Sequence, residues 1–221
     1  MSLFNKSKDL WHEITSRLNS AGDVFPALFL RLILFWEFWE SGVEKYNGSN
    51  WFASMQDSFP FPFNVIDPSI SWFMATWGEL VFSVLLLLGL FTRFAAFSLL
   101  IITVVATAAV HWPESWSTLS ELWKGYAISG KGFGNYKLPL LFAIMLMPLI
   151  FNGAGKLSLD NFLSKMVGCP GGLNKMTDLA TWGLSFLAIG LPLSFIMPIF
   201  GIGLVVLGMV LLVVNKFITP A

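Results

Sequence analysis

Seven side chains combine a reactive type with a position where that type is costly: Arg31, Glu37, Glu40, Lys45, Glu79, His111 and Tyr136. All lie within or at the ends of long apolar runs. An ionisable group deep in a bilayer costs at least about 2.5 kcal/mol, so it needs a partner or a purpose. Arg31 sits seven residues into the first run, at a depth of about 10 Å if that run is a helix. Glu79 sits near the middle of the second run and is too short to reach the headgroups from there. Antiparallel neighbours would bring the two to similar depth, and we expect them to pair. Such a pair either fixes how two helices pack or holds a polar ligand head and relays its protons. The two roles do not exclude each other.

Glu37, Glu40 and Glu44 are spaced three and four apart and share one helical face. Arg31, Phe35, Phe38, Gly42 and Lys45 form a second stripe, where Gly42 would admit a close neighbour. His111 ends the third apolar run, and Tyr136 and Lys137 open the fourth. We expect Arg31, Glu79 and His111 to carry chemistry, and Glu37, Glu40, Lys45 and Tyr136 to contact a cofactor. A His–Glu cluster suits a metal, yet the chain has only two histidines and His12 falls at the other end of the first span. That argues against a dedicated metal site and against a haem held by two histidines. The single cysteine, Cys169, excludes a CxxC motif. No Ser-His-Asp or Cys-His arrangement is legible.

The elements that must position these groups follow from composition. Of 221 residues, 56% are hydrophobic and 12% charged, with a mean hydropathy of +0.72. A water-exposed globule carries about twice that charge. Thirteen basic and thirteen acidic residues give no net charge, and so no footprint for nucleic acid. The sequence predicts an all-α integral membrane bundle. Apolar runs cover about 24–44, 70–90, 94–110 and 138–151, and a 40-residue stretch over 178–217 is broken by Pro192 and Pro198. We read that stretch as a hairpin of two spans, giving about six in all. Residues 1–23 read as an amphipathic surface helix with no secretory signal, its apolar stripe formed by Leu10, Ile14 and Leu18. Residues 24–163 form a four-span bundle, 164–177 a linker and 178–221 the hairpin.

Basic residues orient the chain. With the N-terminus cytoplasmic, the inner side holds Lys6, Lys8, Arg17, Arg93, Lys156, Lys165, Lys175 and Lys216, against Lys45, Lys124, Lys131 and Lys137 outside. Both termini are therefore expected in the cytoplasm. Two aromatic loops fall outside: one carries Phe59-Pro60-Phe61-Pro62-Phe63, the other Trp112-Pro113 and the glycine-rich Gly130-Lys131-Gly132-Phe133-Gly134. The latter reads as a lid or turn rather than a phosphate cradle, because no strand precedes it. Cys169-Pro170-Gly171-Gly172 reads as a flexible joint.

The order of Arg31, Phe38, Gly42 and Lys45, then Glu79, then Leu88-Gly89-Leu90-Phe91-Thr92-Arg93, then His111, then Gly155-Lys156-Leu157-Ser158-Leu159-Asp160 resembles the DoxX family of small four-span membrane proteins. The segments 37–45, the Phe-Pro run and 111–137 look most like its HvfX branch. The resemblance covers about 24–163 and has no counterpart for the hairpin, which would then be a docking element. It implies an inner-membrane protein with quinone-linked redox work, or else a non-enzymatic partner that anchors or exports a copper-handling modified peptide. Lipid, a quinone and a soluble or peptide partner at the outer loops are the implied ligands. Transport is a third possibility, disfavoured because few polar residues are available to line a path.

Overall fold

The computed structural model describes residues 3–113, 115–126, 132, 134–168 and 178–218. These are all-helical, with no strand among the described residues. The expected joint at Cys169–Gly172 and residues Gly130, Lys131 and Phe133 of the glycine-rich segment lie outside them.

Helix α1 (Leu3–Gly22) is amphipathic, exposing Leu10, Trp11, Ile14 and Leu18. Its polar side carries an Arg17–Glu13 pair one turn apart. Six apolar helices follow where hydropathy placed them: α2 (Phe25–Asn47), α3 (Pro68–Leu88), α4 (Thr92–Ala106), α6 (Lys137–Asn152), α8 (Leu179–Leu193) and α9 (Pro198–Ile218). Short amphipathic helices α5 (Leu119–Tyr126) and α7 (Leu159–Met166) lie between them. Prolines at the first turns of α2, α3 and α9 suit positions whose amide has no helical partner. The segment ending in α2, the helix α3, α4 with its terminal π turn, and α9 are long and apolar enough to cross a membrane; α6 and α8 are shorter. Sixteen residues of α6 reach about 24 Å, less than the ~30 Å hydrocarbon core.

Helices α2, α3, α4 and α6 pack around Leu34, Leu86, Leu99, Leu100, Leu146 and Leu149, all essentially inaccessible. The α8–α9 hairpin is closed by glycines: a Cβ on Gly183 would lie 2.9 Å from the Gly208 carbonyl oxygen. The hairpin touches the bundle through Ala188, Phe195 and Ile196.

One end of the bundle is tied by charges bonded to backbone. Gly89 closes α3 in the left-handed conformation (φ +64°). Asp160 caps the start of α4, accepting from Phe91 N at 2.8 Å and Thr92 N at 2.9 Å. Arg93 donates to the carbonyls of Ile150 and Phe151 at the end of α6, at 2.7 and 2.6 Å. Arg31 donates to the carbonyls of Ala154 and Leu157, each at 2.9 Å. An ion pair joins Lys156 to Asp23 at 2.6 Å. Together these form a latch.

The expected Arg31–Glu79 pair is absent, and register explains why. On α2 it is Gly42 that lies against Leu80, whose side chain would sit 2.9 Å from a Cβ there. Glu79 is therefore level with Gly42, and Arg31 is eleven residues, about 16 Å, further along α2. Arg31 lies instead beside Gly89, where any Cβ would collide with its guanidinium.

At the opposite end the Phe-Pro loop folds back onto the bundle. A 3-10 turn (Phe52–Ser58) buries Phe52 against Phe59 and Trp72, with ring centroids 4.8 and 5.0 Å apart. Phe63 meets Phe195 at the hairpin tip, 6.1 Å between centroids.

Candidate functional site

Between α2, α3, α4 and α6, beneath that aromatic loop, lies a cavity of about 1060 Å³. Its walls are mostly apolar and aromatic, with Phe38, Phe82, Phe97 and Phe142 among them. Its buried ion pair forms one polar cluster, and Ser71, His111, Asn135 and Lys137 add polar groups toward the mouth. The Lys45 ammonium donates to both oxygens of the Glu79 carboxylate, at 3.0 and 2.8 Å, and to Ser41 Oγ at 2.7 Å. The two side chains are 18% and 7% exposed, so the pair is largely withdrawn from water. Glu37 is half-buried and lines the same cavity.

His111 reaches the cavity through a local irregularity of α4. Thr103 and Thr107 each turn a hydroxyl back to the carbonyl four residues earlier, at 2.8 and 2.6 Å. The helix then widens into a π turn (Thr107–His111), closed by Trp112 N donating to Thr107 O at 2.7 Å. Such turns recur at functional sites. Asn135 holds His111 twice: its amide N donates to the His111 carbonyl at 2.9 Å, and its Oδ1 lies 3.0 Å from Nδ1. With Oδ1 as acceptor, the neutral ring carries its proton on Nδ1 and leaves Nε2 as an acceptor. Gly134 makes this approach possible: its φ is +74°, and a Cβ there would strike the His111 carbonyl oxygen.

Of the seven expected site residues, Lys45, Glu79, Glu37 and His111 share this cavity. Arg31 is at the latch instead. Glu40 is exposed on the outside of α2 and does not line the cavity. The acidic face proposed for Glu37, Glu40 and Glu44 therefore divides: Glu37 joins Ser41 and Lys45, four and eight residues on, while Glu40 and Glu44 turn outward. Tyr136 also stands apart, its hydroxyl donating to Leu122 O at 2.6 Å and its ring against Trp112. It tethers α5, and burial pushes its phenol above the usual range.

Sequence reasoning missed Ser41, Asn135 and Ser71. Ser41 carried a signal, one turn before Lys45. Asn135 was hidden at the end of a glycine-rich segment. Ser71 is buried, lines the cavity and leaves its hydroxyl without a hydrogen-bond partner.

Residues 27–112, which hold α2, α3 and α4 and so most of these side chains, match the DoxX family model. An uncharacterized protein of Haemophilus influenzae is similar, 45% identical over 150 residues that cover 68% of this chain and 91% of the relative. No solved structure matches. A helical bundle of apolar spans, a family match over three of the four helices that frame its cavity, and a close relative aligned over nearly its whole length agree: the chain belongs to the DoxX family and is an integral, multi-pass membrane protein.

Proposed function

We propose that the protein is a quinone-binding membrane component, whose bundle cavity holds a quinone ring while an electron donor docks at the cavity mouth. The observation that carries this reading is a large apolar cavity with one compact polar cluster inside it. A quinone head is a flat ring with two acceptor oxygens, and it asks for apolar walls and a few placed donors. Lys45 can exchange its bond to Ser41 Oγ for one to a ligand oxygen, and the partnerless Ser71 hydroxyl offers a donor that a ligand oxygen would satisfy. The residues present fit the group.

A bound quinone supplies the acceptor for two electrons and two protons. Around it, Lys45 orients one oxygen while Glu79 holds the ammonium in place. His111 moves protons between mouth and cavity: its neutral Nε2 accepts one, and the imidazolium returns it. A reduced partner docked at the mouth would have to supply the two electrons. The excess of Lys and Arg on the latch side supports placing both termini in the cytoplasm of an inner membrane and the mouth outside. A second reading, a membrane partner of a copper-handling modified peptide, has one supporting feature: Leu119 and Trp123 are 77% and 63% exposed on α5, which Tyr136 tethers at the mouth end.

The test is titration of a short-chain ubiquinone analogue into the protein in nanodiscs, followed by tryptophan fluorescence, since Trp51 lines the cavity. We expect saturable quenching near one quinone per chain, weakened at least tenfold in Glu79→Gln and His111→Ala variants that retain their helical signal. A wild type that does not quench, or that quenches identically to both variants, rejects this function.

A further inference from the structure

The cavity continues well past its polar cluster. On α4 it is lined by Phe94, Phe97, Ser98, Ile101, Ile102 and Val105, spaced three and four apart along one face over three turns. Ile102 lies level with the polar cluster, because its side chain packs against Gly78, next to Glu79. Phe94 is eight residues, about 12 Å, beyond it toward the latch. Along the α4 face of this lower arm Ser98 is the one hydroxyl, and the charged side chain lining the cavity at that depth is Glu37 of α2, five residues from Gly42 toward the latch. The arm is not closed off: Phe94 lines it yet is 61% exposed on the bundle's outer surface. Its ring meets Phe82, another wall residue, edge-on with centroids 5.6 Å apart.

We infer that this arm is a binding groove for the isoprenoid chain of the ligand, which leaves the bundle for the bilayer past the Phe82–Phe94 pair between α3 and α4. This rests on the quinone reading and adds to it that the site selects a chain-bearing lipid rather than a ring alone. A ring needs only the volume around Lys45 and Glu79, whereas a ~12 Å extension walled on α4 mainly by Phe and Ile and ending in a lipid-facing aromatic edge matches a flexible hydrocarbon chain. The chain would lie against fixed side chains in place of lipid tails. Its contribution therefore depends on the shape of the arm, not on apolarity alone.

The experiment compares benzoquinone analogues carrying no chain, one, two and four isoprene units, in nanodiscs of one lipid composition. Each is titrated into the wild type and into Ser98→Trp, which fills the arm and leaves Lys45, Glu79 and His111 untouched. Wild type should bind the two-unit analogue at least tenfold more tightly than the chainless ring. Ser98→Trp should bind the chainless ring as wild type does and lose the preference for chain. Phe94→Ala, at the accessible rim, is the second variant, and should weaken only the longer analogues. Partitioning into lipid is common to all three proteins, so it cancels. Equal chain-length dependence in all three overturns the groove while leaving ring binding intact. Failure of every analogue to bind wild type overturns the groove together with the function beneath it.

Discussion

The two ends of the four-helix bundle use charge in opposite ways. At the latch, Arg31, Arg93 and Asp160 direct their hydrogen bonds to backbone groups that helix ends leave without partners, with Arg31 Nε–H left over. At the mouth, Lys45 and Glu79 satisfy each other across a cavity, and His111 is aimed into it by Asn135. A charge tied to a carbonyl stabilises one geometry and has little left for a ligand. A charge tied to another side chain can exchange that partner for a ligand atom. Arg31 and Glu79 are similarly buried, yet one is a structural arginine and the other half of a candidate binding pair.

The largest effect should come from cutting the latch. Arg31→Met removes two charge-assisted hydrogen bonds and strands the Ala154 and Leu157 carbonyls, at a cost of about 3–5 kcal/mol. Thermal unfolding in detergent should show the greatest loss of any single variant at either end, while quinone affinity of the folded fraction stays within twofold. Arg31→Lys should recover little, because a point-like ammonium does not reproduce the planar fork. A ligand affinity that falls in step with stability would erase the contrast between the ends.

Breaking the mouth pair comes next. Lys45→Met or Glu79→Leu alone leaves one buried charge and should cost about 3 kcal/mol. The double replacement should regain most of that stability and still bind no quinone. The combination of Arg31→Met with Glu79→Leu should show no such rescue. The two are about 16 Å apart along the bundle, and losses at sites that distant add. Mutual rescue in that combination would restore the pairing that the sequence suggested.

That pairing shows where sequence legibility stopped. The apolar runs were legible because a bilayer tolerates few alternatives to long apolar helices, and α2, α3, α4 and α6 fall within a few residues of the expected limits. Depth was not legible. It depends on how far α2 slides past α3, which is fixed by Gly42 against Leu80 and by Arg31 beside Gly89. Spacing put Glu37 on one face with Glu40 and Glu44, but the cavity takes the face of Glu37, Ser41 and Lys45 while Glu40 and Glu44 turn outward, and only the packing of α3 and α6 decides that. Arg31 looked functional because a buried charge is rare; the carbonyls that satisfy it lie more than 120 residues away. Tyr136 stood at the right end of the right helix, but its hydroxyl is taken by Leu122 O, a group with no sequence signature.

Tyr136→Phe tests whether the mouth is built from separate tethers. It removes one hydrogen bond, worth about 1 kcal/mol. Hydrogen exchange should quicken in α5 and leave α4 and α6 unchanged. At the latch, where Arg31 and Arg93 bond the 150–157 backbone and Asp160 caps α4 at residues 91–92, a single loss should spread to the joined helices. Spreading from Tyr136 as well would make both ends equally cooperative.

The smallest effect concerns pH at the start of α5. The Glu121 carboxylate accepts from Ser117 N and Ser117 Oγ, both at 2.9 Å, and its own amide donates to Thr118 Oγ1 at 3.2 Å. Those hydrogen bonds hold its carboxyl below the usual range. A carboxyl depressed in the folded state stabilises α5 fully above its unfolded value, and loses that contribution as pH falls through the folded one. Amide protection in α5 should therefore hold down to the ordinary carboxylate range and decline only below it. Glu121→Gln keeps an acceptor but no charge, so it should flatten the profile while leaving much of the cap in place. Because this cap lies outside the cavity, quinone affinity should not follow α5 protection through that window. If the two move together, α5 is part of the binding site and the mouth extends further than the Lys45–Glu79 pair and His111.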